Sequence, residues 1–473
     1  MVDNNVSEAN NPTSVNKVPL MIVLISGAFV AILNQTLLAT ALPHIMADLQ
    51  LDANTAQWLQ SIFMLVNGIM IPITAFLIER FTTRGLFLTA LTIFAVGTVI
   101  CAIAPNFSIL MAGRVAQAAA AGIIMPLMQT ILFLIFPVEK RGSAMGMFGL
   151  VIAFAPAIGP TLSGWLVEHF PWRSLFYIIL PIIIVDIIIA YFILKNITNR
   201  TFPKLDMISI VLSTLGFGGL LFGFSSAGNN GWGSFEVILS LVIGAITLFF
   251  FIWRQMKLEQ PILEFRVFKN SIFTLTTVLG MVTFIAMIGA AVVLPLLAQN
   301  MLGFTALESG LMLLPGAVLM GVMNPITGRL FDKFGARWLS IIGLTIVTVT
   351  TFMFSNLSAD TTFTYLATVN AIRMFGIAMV MMPVTTAGLN QLPVNLIPHG
   401  TAMNNTMRQV AGAVGTALLV SVMTNSAIPE EGLNGMIHGV NVSFIVAGVF
   451  AIIALILSFF IKRSQPKSVQ ISK

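Results

Sequence analysis

The sequence predicts an all-α membrane protein with fourteen transmembrane helices, arranged as six, two and six. Three observations carry this prediction. Hydrophobic residues make up 57% of the chain and charged residues 8%, whereas an ordinary soluble domain carries about 25% charge. Fourteen continuous apolar runs each reach the length of about 20 residues that crosses a bilayer as a helix. They are continuous rather than alternating, which excludes a closed barrel. Finally, one sequence pattern occurs twice, about 255 residues apart, and each copy joins two apolar runs.

The expected spans are 18–42, 56–78, 86–104, 108–135, 142–166, 174–194, 207–227, 235–253, 272–298, 306–328, 337–356, 361–388, 400–424 and 440–461. The first copy of the pattern is Ala75-Phe76-Leu77-Ile78-Glu79-Arg80-Phe81-Thr82-Thr83-Arg84. The second is Gly328-Arg329-Leu330-Phe331-Asp332-Lys333-Phe334-Gly335-Ala336-Arg337. In both, an acid precedes a base and a hydrophobe, and another base closes the turn. Other landmarks keep nearly the same register. Arg114 matches Arg373, Pro126 matches Pro383, Gly142-Ser143-Ala144-Met145 matches Gly400-Thr401-Ala402-Met403, and Ala157-Ile158-Gly159 matches Ala413-Val414-Gly415. A single offset through so many landmarks is an internal duplication. It pairs the first six spans with the last six and leaves the seventh and eighth without counterparts. The expected organisation is a tail (1–17), a six-helix half (18–200), an inserted helix pair (201–256), a second six-helix half (257–462) and a tail (463–473). Two like-oriented membrane halves around a central site is a transporter plan.

Charge sets the expected orientation. With the N-terminus cytoplasmic, 19 of the 23 basic residues fall in inner segments and one, Arg173, in an outer loop. Arg114, Arg373 and Arg408 lie within spans. This segregation follows the positive-inside rule and places both termini in the cytoplasm of a cell membrane. The net charge of +6 is thus topological and does not indicate nucleic-acid binding. A polar stretch to Asn16 precedes the first span, which is too long for a cleaved signal segment. The lone cysteine, Cys101, lies in an apolar span and reads as a small core hydrophobe. No Cys/His cluster suggests a metal. No Gly-x-x-x-x-Gly-Lys occurs, so ATP is not the expected energy source. A transporter is expected, not an enzyme, with no cofactor and the proton motive force as driving energy.

Several constellations are candidates for function. The fifth span is rich in helix breakers: Gly142, Gly146, Gly149, Pro156, Gly159, Pro160 and Gly164. Proline kinks a helix and glycine admits a close neighbour, so this span reads either as packing alone or as a hinge that seals the halves. Arg114 and Gln117 share one helical face. An arginine inside a span costs about 2.5–3.5 kcal/mol on insertion scales and normally faces protein or water, so Arg114 is a candidate for the proton or substrate path or, on the plainer reading, a structural arginine that bonds backbone carbonyls. Arg373 is its repeat partner, without a following Gln. Asn404, Asn405 and Arg408 form a polar stripe on the thirteenth span. Asn34, Gln35, Gln57, Gln60 and Asn67 supply neutral polar groups on the first two; with Gln117, Arg373, Asn404, Asn405 and Arg408 they are candidates for lining a substrate cavity or, on the plainer reading, for helix interfaces. Asp186 is the one acid near the centre of an apolar span, the type of group proton relays use. Glu308 is the second candidate. In the repeated turns, Glu79, Arg80, Arg84, Gly328, Asp332, Lys333, Gly335 and Arg337 are candidates for a gate that latches the halves or, on the plainer reading, for charges that only set topology.

These residues resemble the major facilitator superfamily, and within it the fourteen-helix drug:proton antiporters of the EmrB/QacA type. The motif Gly-x-Leu-x-Asp-Arg-x-Gly-Arg is well kept at Gly328–Arg337 and degenerate at Ala75–Arg84. The family's Arg-x-x-Gln matches Arg114–Gln117, and its antiporter motif matches Gly159-Pro160 through Gly164. Its first-helix signature matches Asn34-Gln35-Thr36 through Ala41-Leu42-Pro43. Phe176–Pro181 and Asn405–Gln409 also fit, and the opening of the first span looks most like lincomycin-resistance exporters. The resemblance implies the major facilitator fold and alternating-access export of amphipathic small molecules or antibiotics in exchange for protons, by a monomeric bacterial membrane protein. It also implies a helix-one acid, which is Asn34 here, so the coupling acid is left open. Export of an endogenous metabolite, nucleotide or lipid, or a transporter-like sensor or assembly role, stays open as well.

Overall fold

The computed structural model describes residues 17–198 and 200–461. The two expected tails lie, except for Lys17, outside the described residues. The helices are α1 Lys17–Leu49, α2 Ala53–Arg80, α3 Thr83–Ile103, α4 Phe107–Ile135, α5 Arg141–His169, α6 Ser174–Ile193, α7 Met207–Asn230, α8 Phe235–Lys257, α9 Ser271–Asn300, α10 Ala306–Phe334, α11 Ala336–Met353, α12 Phe363–Leu389, α13 Ile397–Asn425 and α14 Leu433–Ser458. Among the described residues, 14 helices are long and apolar enough to cross a bilayer. The chain is an all-α, multi-pass membrane protein.

Apolar runs mark lipid thickness, while helical hydrogen bonding continues beyond it. α1 therefore runs on through Pro43 to Leu49, and α14 begins at Leu433 rather than 440. The same effect places most of the repeated pattern, read from the sequence as a turn, within helices. α10 continues through Gly328 and Asp332 to Phe334, and the turn is carried by Gly335 at φ 78°. Glycine takes that left-handed conformation without strain. Polar side chains start helices cleanly: Asn106 caps the N-terminus of α4, Asp206 that of α7 and Asn270 that of α9. Each such cap is worth about 1 kcal/mol.

Packing repeats with the duplication. α1 packs on α4, α5 and α6, α3 on α4 and α6, and α2 on α4; the same relations hold eight helices on, among α9 to α14. Between the halves, α5 lies along α10 and α2 along α13. The inserted pair breaks this symmetry. α7 lies against both α2 and α13, with α8 outside it. α7 and α8 touch through their backbones: a Cβ on Gly219 would stand 2.9 Å from Gly244 Cα.

The apolar core reveals how the halves meet. On the side carrying Glu79–Arg84, here the basic side, one cluster joins them: Ile78, Phe133, Met145 and Phe148 pack in continuity with Phe273, Met381, Ile397 and Met403. Toward the opposite side each half keeps its own core, around Phe63 and Phe176 in the first and Phe354 and Phe444 in the second. The halves are closed together on the basic side and separate toward the other.

Candidate functional site

Two equivalent seams form the basic-side closure. At the α5–α10 seam, Asp332 reaches the first turn of α5 in the other half. One carboxylate oxygen accepts from the Gly142 N–H at 2.7 Å, the other from the Ser143 N–H at 2.9 Å and from the Ser143 hydroxyl. A helix N-terminus presents unpaired N–H groups and a partial positive charge, so a carboxylate there is stabilising. Glycine makes the approach possible. A Cβ on Gly142 would stand 2.5 Å from Gly328 O, and one on Gly146 2.5 Å from Asn324 O. Asn324 itself donates to Gly149 O at 2.8 Å. Beside this seam, Arg141 Nη1 donates to Asn390 Oδ1 at 2.9 Å.

At the α2–α13 seam, Glu79 occupies the place of Asp332 and His399 the place of Arg141. Glu79 Oε1 lies 2.9 Å from His399 Nε2. His399 Nδ1 accepts from the Glu264 N–H at 3.3 Å, which puts the ring proton on Nε2, the donor to Glu79. Almost two turns further along α13, Asn405 donates to Gln129 Oε1 of α4 at 2.7 Å. Among the described residues, every hydrogen bond between the two six-helix halves lies at these two seams.

The predicted gate residues thus divide. Glu79, Gly328 and Asp332 face the other half. Arg80 and Arg84 instead turn away from the other half, Arg80 donating to Pro203 O in the segment before α7 at 3.0 Å and Arg84 to Tyr191 O of α6 at 2.7 Å. Lys333 and Arg337 are exposed, and Gly335 is the turn. The helix-five residues divide too. Gly142, Gly146 and Gly149 meet α10, but Gly159 meets Thr36 of α1, inside its own half, and nothing comes within 4 Å of a Cβ at Gly164. Pro156 and Pro160 sit within an unbroken helix. Close packing at this motif is therefore a feature of Gly159 and not of Gly164.

Arg114 is fully buried and organises the first half. Its Nε donates to Leu59 O at 3.2 Å and its Nη1 to Gln117 Oε1 at 3.1 Å. Gln117 donates in turn to Thr98 Oγ1 at 2.9 Å and Asn34 Oδ1 at 3.5 Å. The guanidinium stands 4.4 Å from the Phe63 ring centre. One network thereby ties α1, α2, α3 and α4, while among the described residues Arg114 Nη2 has no hydrogen-bond partner. In the second half Arg373 donates to Thr351 Oγ1 at 3.2 Å and Ala286 O at 2.6 Å, and its Nη1 is likewise unpartnered. Asn404 and Arg408 are buried on α13. Gln35, Gln60 and Asn67 are partly buried and Gln57 is exposed.

The two predicted proton acids lie away from the seams. Asp186 is buried on α6 against Ser26 and Gly27 of α1, at the base of a groove of about 250 Å³ lined by Ile22, Ile182 and Val185. Its Oδ2 has no hydrogen-bond partner among the described residues. Glu308 is exposed and completes the capping box of α10 with Thr305, accepting from the Thr305 N–H at 2.8 Å. Outside the membrane spans, Asp48 accepts from Arg173 at 2.8 Å and from Trp172 at 2.9 Å. The Arg173 hydrogen bond holds its carboxyl below the usual carboxylate range.

Sequence reasoning did not select His399, Ser143, Gln129 or Asn324. The duplication offered a signal for His399, which aligns with Arg141 one residue before the matched glycines. Gln129 and Asn324 carry no pattern that distinguishes them from other polar residues in spans.

Two pseudo-symmetric six-helix halves, closed on one side and separate on the other, define an alternating-access membrane transporter. The sequence pattern of the Major Facilitator Superfamily matches residues 24–416, and the chain belongs to that family. It is 57% identical to the MFS-type transporter YcnB of Bacillus subtilis (strain 168), over 95% of this chain and 96% of that protein. It is 41% identical to the lincomycin resistance protein LmrB of Listeria innocua, over 97% of this chain and 99% of that one. The fold is also that of the human organic anion transporter MFSD10, with a TM-score of 0.68 at 14% identity, covering 94% of this chain and 99% of that one.

Proposed function

We propose that this protein is a drug efflux transporter that expels amphipathic small molecules in exchange for protons. The observation that carries this reading is the near full-length similarity to lincomycin resistance protein LmrB, on a chain whose halves close through equivalent seams. Alternating access then means breaking the basic-side seams while the opposite side closes. The orientation proposed from charge makes the basic side cytoplasmic, so the described state faces outward.

Each inward proton supplies about 2.3 kcal/mol per 100 mV, enough for more than a tenfold solute gradient at about 1.4 kcal/mol per decade. Asp186 is the proposed proton carrier: it is buried and incompletely partnered against α1, the helix that also contributes Asn34 to the Arg114 network. Glu308 has a capping role that accounts for its position.

The test is lincomycin accumulation in everted vesicles carrying the protein, with a pH gradient imposed and then collapsed by a protonophore. Gradient-dependent uptake is expected. Uptake indifferent to the gradient removes proton coupling, and no uptake of lincomycin or of a panel of amphipathic drugs would favour an endogenous solute or a sensory role. A cysteine placed at Gly233 should react with an impermeant maleimide in intact cells; reaction only after permeabilisation reverses the orientation.

A further inference from the structure

Between α9 and α13, five buried polar atoms have no hydrogen-bond partner among the described residues: Thr277 Oγ1, Thr401 Oγ1, Asn404 Oδ1 and Nδ2, and Arg408 Nη1. The four residues are at most 4% exposed. Glycine contacts fix how the two helices align. Gly400 meets Phe273, Gly412 meets Phe284 and Gly415 meets Ile285. That register sets Thr277 level with Asn404 and Gly280 level with Arg408. Thr401, Asn404 and Arg408 are three and four residues apart and share one face of α13. Gly280 is buried, yet a Cβ there would meet nothing within 4 Å. The recess is therefore lined by buried polar atoms, and among the described residues no side chain fills the space beside Gly280. The Phe284 ring centre stands 5.6 Å from the Arg408 guanidinium.

Charge decides what such a recess takes. Unpaired buried polar atoms cost about 1–3 kcal/mol each. Water can satisfy their hydrogen bonds, but it does not neutralise a buried guanidinium. Among the described residues no carboxylate pairs with Arg408, nor with Arg114 or Arg373. A cationic group would meet only repulsion here. A carboxylate can accept from the guanidinium, the Asn404 amide and the two threonine hydroxyls, with charge assistance.

We propose that this recess binds the acidic group of an exported solute, so that the transported class includes amphipathic carboxylates, with Phe284 beside the apolar body. The assignment rests on the export reading above and specifies its substrate. Asn405 belongs to the same turn and bonds Gln129 of the other half, which places the recess next to a seam that must break during transport.

The test is equilibrium binding to the purified full-length protein in nanodiscs, so its failure is distinct from a failure of proton-driven transport. The probes share one ring system: 2-naphthoate, neutral 2-naphthamide and cationic 2-naphthylmethylammonium. Naphthoate is expected to bind at least tenfold more tightly than either analogue. Arg408→Gln should remove that preference and leave naphthamide binding unchanged, and Arg408→Lys should retain part of it. Should Arg408→Gln fail to fold, Asn404→Leu and Thr277→Val carry the test, each lowering naphthoate affinity selectively. Equal binding of the three probes overturns the proposal, as does a preference that survives these substitutions. Inorganic phosphate displacing naphthoate at equal concentration would also overturn it, because the occupant would then be a free anion and not a solute's acid.

Discussion

Glu79 Oε1 lies 2.9 Å from His399 Nε2, an acid at the end of α2 held by the first turn of α13 in the opposite half. It mirrors Asp332 at the first turn of α5, but the two latches are unequal. Asp332 accepts from three donors, and Glu79 from the one imidazole.

That inequality ranks the two acids. A hydrogen bond to a charged group contributes about 1.5–3 kcal/mol. Asp332→Asn is expected to lower efflux more than Glu79→Gln at equal expression, and His399→Gln to resemble Glu79→Gln. Equal or reversed losses in an efflux assay reject the ranking.

Gly142 is a tight point of the closure, facing Asp332, Phe331 and Gly328. Overpacking costs about 1–3 kcal/mol, so Gly142→Ala should shift the population toward the state open on the basic side about 5- to 150-fold. A distance measurement between spin labels at the basic ends of α5 and α10 checks this. Unchanged distances would mean that the seam adjusts to the methyl group.

Asp186 and Glu308 separate coupling from capping. Asp186→Asn keeps the shape and fixes the site neutral. It is expected to bind substrate, lose pH-gradient-driven efflux and retain downhill exchange. Glu308→Gln should keep coupling intact, because glutamine can also complete the capping box with Thr305. Full coupling in Asp186→Asn together with lost coupling in Glu308→Gln inverts the assignment.

Asp206 caps α7 and pairs with Arg254 of α8 at 2.8 and 3.1 Å. The Arg254 hydrogen bond holds the Asp206 carboxyl below its ordinary range. A depressed folded value means the contribution is complete above the unfolded value, about pH 4, and is lost as pH falls through the folded value. Asp206→Ala should cost about 1 kcal/mol from the cap plus about 0.2–1 kcal/mol from the ion pair. Asp206→Asn should cost the pair alone. Calorimetry at pH 7 and pH 3 should find the wild-type advantage over Asp206→Asn shrinking at the lower pH; a constant gap would mean that the pair contributes nothing.

The sequence by itself determined the membrane class, the count and approximate limits of the helices, and the duplication. These depend on local properties: an apolar run must be helical in lipid, and matched landmarks survive as text. It also marked Arg114 with Gln117, whose contact lies within one helix face. What only the tertiary structure decided was partnership. Arg80 and Arg84 look like latch bases beside Glu79, yet they bind the segment before α7 and the end of α6, because the latch is formed by a helix N-terminus arriving from some 190–320 residues away. Gly159 and Gly164 stand in one motif, yet only Gly159 meets another helix. His399, Gln129 and Asn324 became visible only when the seams brought them together. The α9–α13 recess likewise depends on how two helices 120 or more residues apart are set in register. Hydropathy records what each helix must face on average, lipid or protein. It does not record which neighbour stands opposite a given side chain, and binding and gating depend on that.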